Sequence, residues 1–245
     1  MPLYNSELYV GKAIESVQAQ TLDDWELIIV DDGSTDTSAH QVGRYLSDTR
    51  ITLLRFDMNQ GAAAARKAAI EASRGRYIAF LDADDLWLPT KLEEQIAFME
   101  QTGCGMCFTA YETIRADGIH RNFVYVPDTL DYSGFLKNTI TCSHTIMFDT
   151  ARVDKVLLTA LPKPDGLDYA EDLNLWLEVL KAGHRAYGLN EVLAKNRKHS
   201  ASRSAGHARA LSRTWNQYRN REGLSVPQSA YCMGWHIFYA IKKRL

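Results

Sequence analysis

Arg76-Tyr77-Ile78-Ala79-Phe80-Leu81, running straight into Asp82-Ala83-Asp84-Asp85, is the stretch on which the fold turns. Its apolar and aromatic residues read as a buried strand, and the acidic run ends it abruptly. Upstream, Trp25-Glu26-Leu27-Ile28-Ile29-Val30 has the same character and ends the same way, in Asp31-Asp32-Gly33-Ser34-Thr35-Asp36. Between the two lie a helix near 37–47, a strand over Ile51 to Phe56 and an alanine-rich helix from Gly61 to Ser73. Further back, Ser6 can cap a helix that aligns Val10, Ala13, Ile14 and Val17 on one face. Downstream, Pro89 stands where a helix starts, and Lys91 to Gln101 continues it. This β-α-β-α-β rhythm predicts a mostly parallel sheet with helices on both faces. Ligands of such sheets bind beyond the carboxyl ends of the strands, which is where both acidic clusters fall.

Beyond residue 102 the rhythm changes. Strands are expected near 104–114, 119–126 and 142–148, then a helix near 171–182 and a short strand near 185–189. From about 205 the chain reads as basic amphipathic helix, broken around Pro227. The 245 residues are 46% hydrophobic and 24% charged, an ordinary globular balance that needs no disulfide or metal to fold. Cys104 and Cys107 make a C-x-x-C, but no second pair follows at zinc spacing, so they read as core thiols in a strand. No apolar run approaches the ~20 residues of a membrane-spanning helix, and no signal peptide is visible, which predicts a cytoplasmic protein. The net charge of −2 hides an asymmetry: from Lys195 onward there are eleven Lys or Arg against one acid, Glu222. Such a tail suits phosphates, a membrane surface or the acidic domain ahead of it, and no nucleic-acid module accompanies it.

Crowded carboxylates repel one another unless a cation neutralises them, so Asp82-Ala83-Asp84-Asp85 at a strand end suits Mg²⁺ or Mn²⁺ together with a diphosphate. Asp31 and Asp32 could accept hydrogen bonds from a ribose or a base, or simply form a turn, with Asp36 as an N-cap. Asn59-Gln60-Gly61 opens a helix, and Arg66 lies about one and a half turns inside it, either within reach of a nucleotide or simply an exposed surface cation. Glu171-Asp172 precedes an apolar helix carrying Trp176, and an acid there is either a dipole partner or a general base. Arg197, His199 and Ser200 cluster in an expected loop that could close over a diphosphate. The remaining histidines show no ligand spacing.

In order and spacing, Pro2-Leu3-Tyr4-Asn5, Val30 to Asp36, Asn59-Gln60-Gly61 with Arg66, Leu81 to Asp85, and Glu171-Asp172 with Trp176 resemble the family 2 inverting glycosyltransferases of the GT-A fold. Among these, the resemblance is to bacterial enzymes that build surface polysaccharides, such as the teichuronic acid and lipopolysaccharide O-unit transferases. It implies a Rossmann-like, nucleotide-diphospho-sugar transferase sheet and an EC 2.4 hexosyl- or N-acetylhexosaminyltransferase. It also implies that Pro2, Leu3, Tyr4, Asp31, Asp32, Asn59, Gly61, Arg66, Asp82, Ala83 and Asp84 bind a nucleotide sugar, with uridine expected. A divalent metal, Mn²⁺ or Mg²⁺, would sit on Asp84 with Asp85 assisting. Asp172 would be the catalytic base, Glu171 would orient the acceptor, and Trp176 would lie on the acceptor side.

The resemblance divides the chain into a transferase domain over 1–204 and a basic helical extension over 205–245. Within the first, about 1–102 binds nucleotide and about 103–204 binds acceptor. The Gln-x-x-Arg-Trp motif of processive relatives is absent, since Trp176 follows Asn174-Leu175, which favours addition of one sugar. Only Met1 precedes Pro2 where relatives carry an apolar strand, and Lys195-Asn196-Arg197 replaces their usual aromatic before the arginine. A lipid-linked saccharide acceptor and contact with the cytoplasmic membrane face are expected, the latter because Trp235 to Arg244 mixes aromatic and basic residues. A non-catalytic nucleotide-binding scaffold and a sugar nucleotidyltransferase are the alternatives; the latter lacks its Gly-rich phosphate loop here.

Overall fold

The computed structural model describes residues 1–138, 141–159, 167–199 and 207–243, apart from the side chains of Glu171 and His207. Helix α1 (Val10–Gln18), β2 (Leu27–Asp31), α2 (Ser38–Gly43), β3 (Ile51–Arg55), α3 (Ala62–Ala72) and β4 (Tyr77–Ala79) reproduce the expected alternation, preceded by a short strand, β1 (Pro2–Leu3), that the sequence reading did not place. β1, β2 and β3 pair in parallel, and all five residues of β2 are buried, as an apolar β-branched run requires. Val10, Ala13, Ile14 and Val17 form the buried face of α1. Ser6, however, is not its side-chain cap: the Ser6 carbonyl receives the amides of Tyr9 and Val10, and its hydroxyl turns back to the Tyr4 carbonyl.

β4 departs from a single parallel sheet. It pairs antiparallel with β9 (Met147–Asp149), Tyr77 opposite Asp149. β9 in turn pairs with β6 (Met106–Arg115), opening a seven-stranded mixed sheet in the order β4, β9, β6, β10 (Ala186–Lys198), β5 (Leu86–Trp87). β7 (His120–Val124) lies on β6, and β8 (Thr129–Leu130) lies on β10. The segment expected as a strand over 142–148 is a tight 3-10 turn, Ser143–Thr145, followed by β9.

β10 is much longer than the strand expected near 185–189. It runs beside β6 with two register shifts around Val192, and Lys195 sits opposite Glu112, their charges 2.9 Å apart. This cross-strand pair helps continue the ladder through residues that read as a loop in isolation. Cys104 and Cys107 are buried thiols as expected, and Gln95 Nε2 donates to the Cys107 sulfur at 3.0 Å.

Helices α4 (Lys91–Thr102), α5 (Tyr132–Lys137) and α6 (Glu171–Lys181) cover the mixed sheet, and the tail forms α7 (His207–Asn216) and α8 (Val226–Lys242). The helical tail breaks just ahead of Pro227, as expected, and Pro227 lies in the first turn of α8. The Ser225 hydroxyl and the Gln228 side chain cap each other's backbone, and a proline in the first turn gives up only an amide that has no partner within the helix.

Candidate active site

The carboxyl end of β2 and the motif Pro2 to Asn5 are tied together. Asn5, in the left-handed region at φ 47°, accepts the Thr35 amide on its side-chain oxygen at 2.9 Å and donates its own amide to Ser34 Oγ. Tyr4 remains 48% exposed beside this junction. Asp31 and Asp32 are both buried. Asp31 accepts the Ser34 amide at 3.0 Å and Arg55 Nε at 3.2 Å. Asp32 accepts the amides of Gln60 and Gly61 at 2.7 and 2.9 Å, so it grips the loop that opens α3. That loop presses on Gly33, where a Cβ would lie 2.9 Å from backbone atoms of Met58 and Asn59.

Arg66 is 7% exposed, not a surface cation. Its guanidinium donates to Asp82 Oδ1 at 2.7 Å and, through its other terminal nitrogen, to Asp172 Oδ1 in the first turn of α6. The second Asp172 oxygen accepts Ser143 Oγ at 2.7 Å. Burial alone would raise the Asp82 pKa, but the Arg66 charge and hydrogen bond outweigh it and hold Asp82 below the usual carboxylate range. Asp84 is the opposite case. Burial, and then the charges of Asp85 and Asp82, push it up to about 6, although His199 Nε2 stands 2.8 Å from its Oδ2.

Asp85 turns inward. At 2% exposure it faces His144 Nδ1 at 2.7 Å, the Arg197 amide at 2.7 Å and Asn196 Nδ2 at 3.2 Å. Burial works against a charged His144, yet Asp85's charge and hydrogen bond prevail and raise the imidazole to about 9. Donor groups therefore brace Asp85 from behind, while Asp84 keeps its carboxylate toward His199. Among the described residues, no three His, Cys, Asp or Glu side chains converge on a point that would hold a metal ion.

A family model for glycosyl transferase family 2 matches residues 1–153, well over half of the sequence. The chain belongs to glycosyl transferase family 2. Across its whole length this transferase is 38% identical to a Bacillus subtilis (strain 168) protein named as a teichuronic acid biosynthesis glycosyltransferase, TuaG, covering 95% of that protein. Over 88% of its length it is 36% identical to WfgD of Escherichia coli, a UDP-Glc:alpha-D-GlcNAc-diphosphoundecaprenol beta-1,3-glucosyltransferase, covering 82% of it. Among solved structures, S. aureus TarS 1-349 in complex with UDP-GlcNAc superposes with a TM-score of 0.74 at 17% identity, over 98% of this chain and 71% of that one. The mannosyltransferase PcManGT from Pyrobaculum calidifontis, in complex with GDP-Man and Mn²⁺, gives 0.66 at 19%, over 97% and 68%. The fold is GT-A.

Several expected residues of the transferase stand elsewhere than the sequence suggested. Arg197 belongs to the end of β10, not to a loop. It is 4% exposed and donates to the carbonyls of Asp84 and Ala116, with Tyr9 packed 5.0 Å from its guanidinium. Trp176 is 3% exposed and packs in the core, with its ring 5.1 Å from Phe80 and 5.6 Å from Phe148. Ser200 and the Glu171 side chain lie outside the described residues. Ser143, His144 and Tyr9 are the residues that sequence reading missed. No local signal marks Ser143 and His144, which continue a mostly polar run from Asn138 to Thr145 ahead of β9.

Proposed function

We propose that this enzyme moves one sugar from a UDP-sugar to a hydroxyl of a lipid-linked saccharide in cell-surface polysaccharide assembly, with inversion at the anomeric carbon. One observation carries the reading: Asp172, through Arg66, is joined to the same Asp82–Asp85 loop that carries Asp84. A base on one side and a charge-neutralising loop on the other are what a single direct displacement needs. The names of TuaG and WfgD support a surface-polysaccharide role and a diphosphate-lipid acceptor.

In this reading Asp172 takes the proton of the attacking acceptor hydroxyl, with Glu171 orienting the acceptor. Arg66 and Ser143 orient Asp172 by occupying one oxygen each. Pro2, Leu3, Tyr4, Asp31 and Ala83 border the nucleoside, and Asp32 shapes that border by holding Gln60 and Gly61 beside Asn59. Arg197 stiffens the Asp84 backbone, and His199 and Ser200 face the diphosphate side. A divalent cation fits the donor set, since Asp84 offers a carboxylate crowded by two others and His199 an imidazole on the same oxygen. When bound, Mn²⁺ or Mg²⁺ would supply Lewis-acid neutralisation of the departing diphosphate, with Asp85 assisting by anchoring the loop. The transferase domain extends over 1–204 and the helical extension over 205–245, and the protein works at the cytoplasmic membrane face.

The test is transfer from a panel of UDP-, GDP-, CDP- and dTDP-sugars to a diphosphate-lipid saccharide with and without Mn²⁺, using wild type and Asp172→Asn. The expected result is UDP-dependent transfer in wild type, a loss of about 10²- to 10⁴-fold in the variant, and unchanged UDP binding. Equal rates in the two proteins would remove Asp172 from the base role.

A further inference from the structure

We propose that the outward face of α8 is a membrane-contact surface that seats this transferase on anionic lipid, on the acceptor side of its site. The proposal rests on the lipid-linked acceptor argued above and names the surface that brings the enzyme to it. α8 turns Ser229 and Cys232, with the partly buried Met233, toward the body of the protein and packs against α5. On its other side, Tyr231, Trp235, Phe238 and Ile241 follow one another at helical spacing and are 60, 39, 52 and 55% exposed. The Trp235 ring meets Phe238 edge-on at 5.6 Å and lies 5.9 Å from Tyr239, so these rings form a connected plate. A continuous apolar plate held in water marks a contact surface, whereas isolated exposed apolar residues do not.

Charge selects the occupant. α8 contains no Asp or Glu, and the charges beside its exposed face are cations. Lys242 stands at its far end, and the Lys137 ammonium of α5 stands 5.7 Å from the Tyr231 ring. Aromatic residues flanked by lysines match the boundary between headgroups and acyl chains, where rings enter the lipid and ammonium groups meet anionic headgroups. Pairing two copies through this face would instead bring like-charged rims together. The location also suits the reaction, because α5 packs on α6, whose first turn carries Asp172. A lipid-anchored acceptor held in the bilayer would then arrive on the side where its hydroxyl is needed.

The experiment is sedimentation of the full chain at low salt with sucrose-loaded vesicles of phosphatidylcholine and phosphatidylglycerol, and with phosphatidylcholine alone. Wild type should pellet with the anionic vesicles and only weakly with neutral ones. Trp235→Ser/Phe238→Ser should lose binding by about tenfold or more, and Lys137→Glu/Lys242→Glu by about fivefold per removed lysine. Both variants should keep the wild-type melting temperature and the wild-type rate of transfer to a water-soluble acceptor. The proposal is overturned if wild type stays in the supernatant, or if Trp235→Ser/Phe238→Ser binds vesicles as wild type does. It is also overturned if light scattering shows a dimer that this variant dissolves, which would give the face to a second copy. Vesicle binding without transfer to any acceptor would sink the enzyme reading alone. Transfer to the soluble acceptor without vesicle binding would sink the surface alone.

Discussion

Arg66 and Asp172, 106 residues apart in the chain, meet in an ion pair that joins helix α3 to the first turn of α6. The same guanidinium holds Asp82, so one buried cation lies between two carboxylates from opposite halves of the site. Removing it leaves both without their partner. Asp82 and Asp172 are still 31% and 42% exposed, so water tempers the loss that a fully buried pair would suffer. Arg66→Met should therefore cost about 2 kcal/mol in urea unfolding and suppress transfer. Arg66→Lys should recover part of the stability but little of the rate, because an ammonium lacks the planar fork that spans two carboxylates.

The Ser143 hydroxyl donates to Asp172, on the oxygen that Arg66 leaves open, so its effect is expected on the proposed base and not on nucleotide binding. Ser143→Ala should lower kcat about tenfold while leaving the KM for the nucleotide sugar unchanged, the loss of one hydrogen bond to a charged group. Ser143→Thr retains the hydroxyl and should restore most of the rate. A rise in nucleotide KM with kcat intact would assign Ser143 to the donor side instead.

His144 and Lys91 give the fold two opposed pH dependences. Burial disfavours the charged form of both, but Asp85 lifts His144 to about 9, whereas Lys91 falls to about 7. The raised His144 contributes its full stabilisation below its unfolded value of 6.5 and loses it as pH climbs through about 9. The depressed Lys91 destabilises the fold at neutral pH and below, and that penalty fades as pH rises from about 7 toward 10.5. Between about pH 7 and 9 the two slopes largely cancel. Lys91→Met should expose the falling slope, a loss of about 2–3 kcal/mol between about pH 6 and 9.5. His144→Gln should show the rising one. Urea titrations at several pH values decide it, and two variants that both follow the wild-type profile would show that neither group titrates this way.

Gly33 combines φ 68° with a neighbouring loop that leaves no room for a Cβ. Gly33→Ala should cost about 1–3 kcal/mol and weaken nucleotide affinity by displacing the Gln60–Gly61 amides from Asp32. Isothermal titration with UDP on the folded variant checks the second effect. An unchanged affinity would mean that this loop does not border the nucleotide.

What could be read from the sequence was local. β2 and its acidic end announce themselves within ten residues, because an apolar β-branched run and a glycine turn need no distant partner to be recognised. The inward face of α1 was legible for the same reason, through its 3.6-residue period. The continuation of β10 was not, because Lys195 to Lys198 becomes strand only beside β6. The burial of Arg66 between two carboxylates was not legible, because both are remote in sequence, one by 16 residues and one by 106. Trp176 drew attention through its place near Glu171-Asp172, yet its fate was decided by Phe80 and Phe148, with which it packs in the core. His144 went unnoticed because its partner, Asp85, lies 59 residues earlier in the sequence.

The contacts around the site close on themselves: Asp82 to Arg66, Arg66 to Asp172, Asp172 to Ser143, then through one peptide to His144 and back to Asp85. This circuit constrains how such an enzyme could be recombined with a relative. A chimera joined anywhere between residues 145 and 171 would take Asp172, the proposed base, from one parent and both of its anchors from the other. Grafting α6 from a relative therefore calls for moving Ser143 and His144 along with it, and for an arginine at position 66 in the parent that supplies the rest.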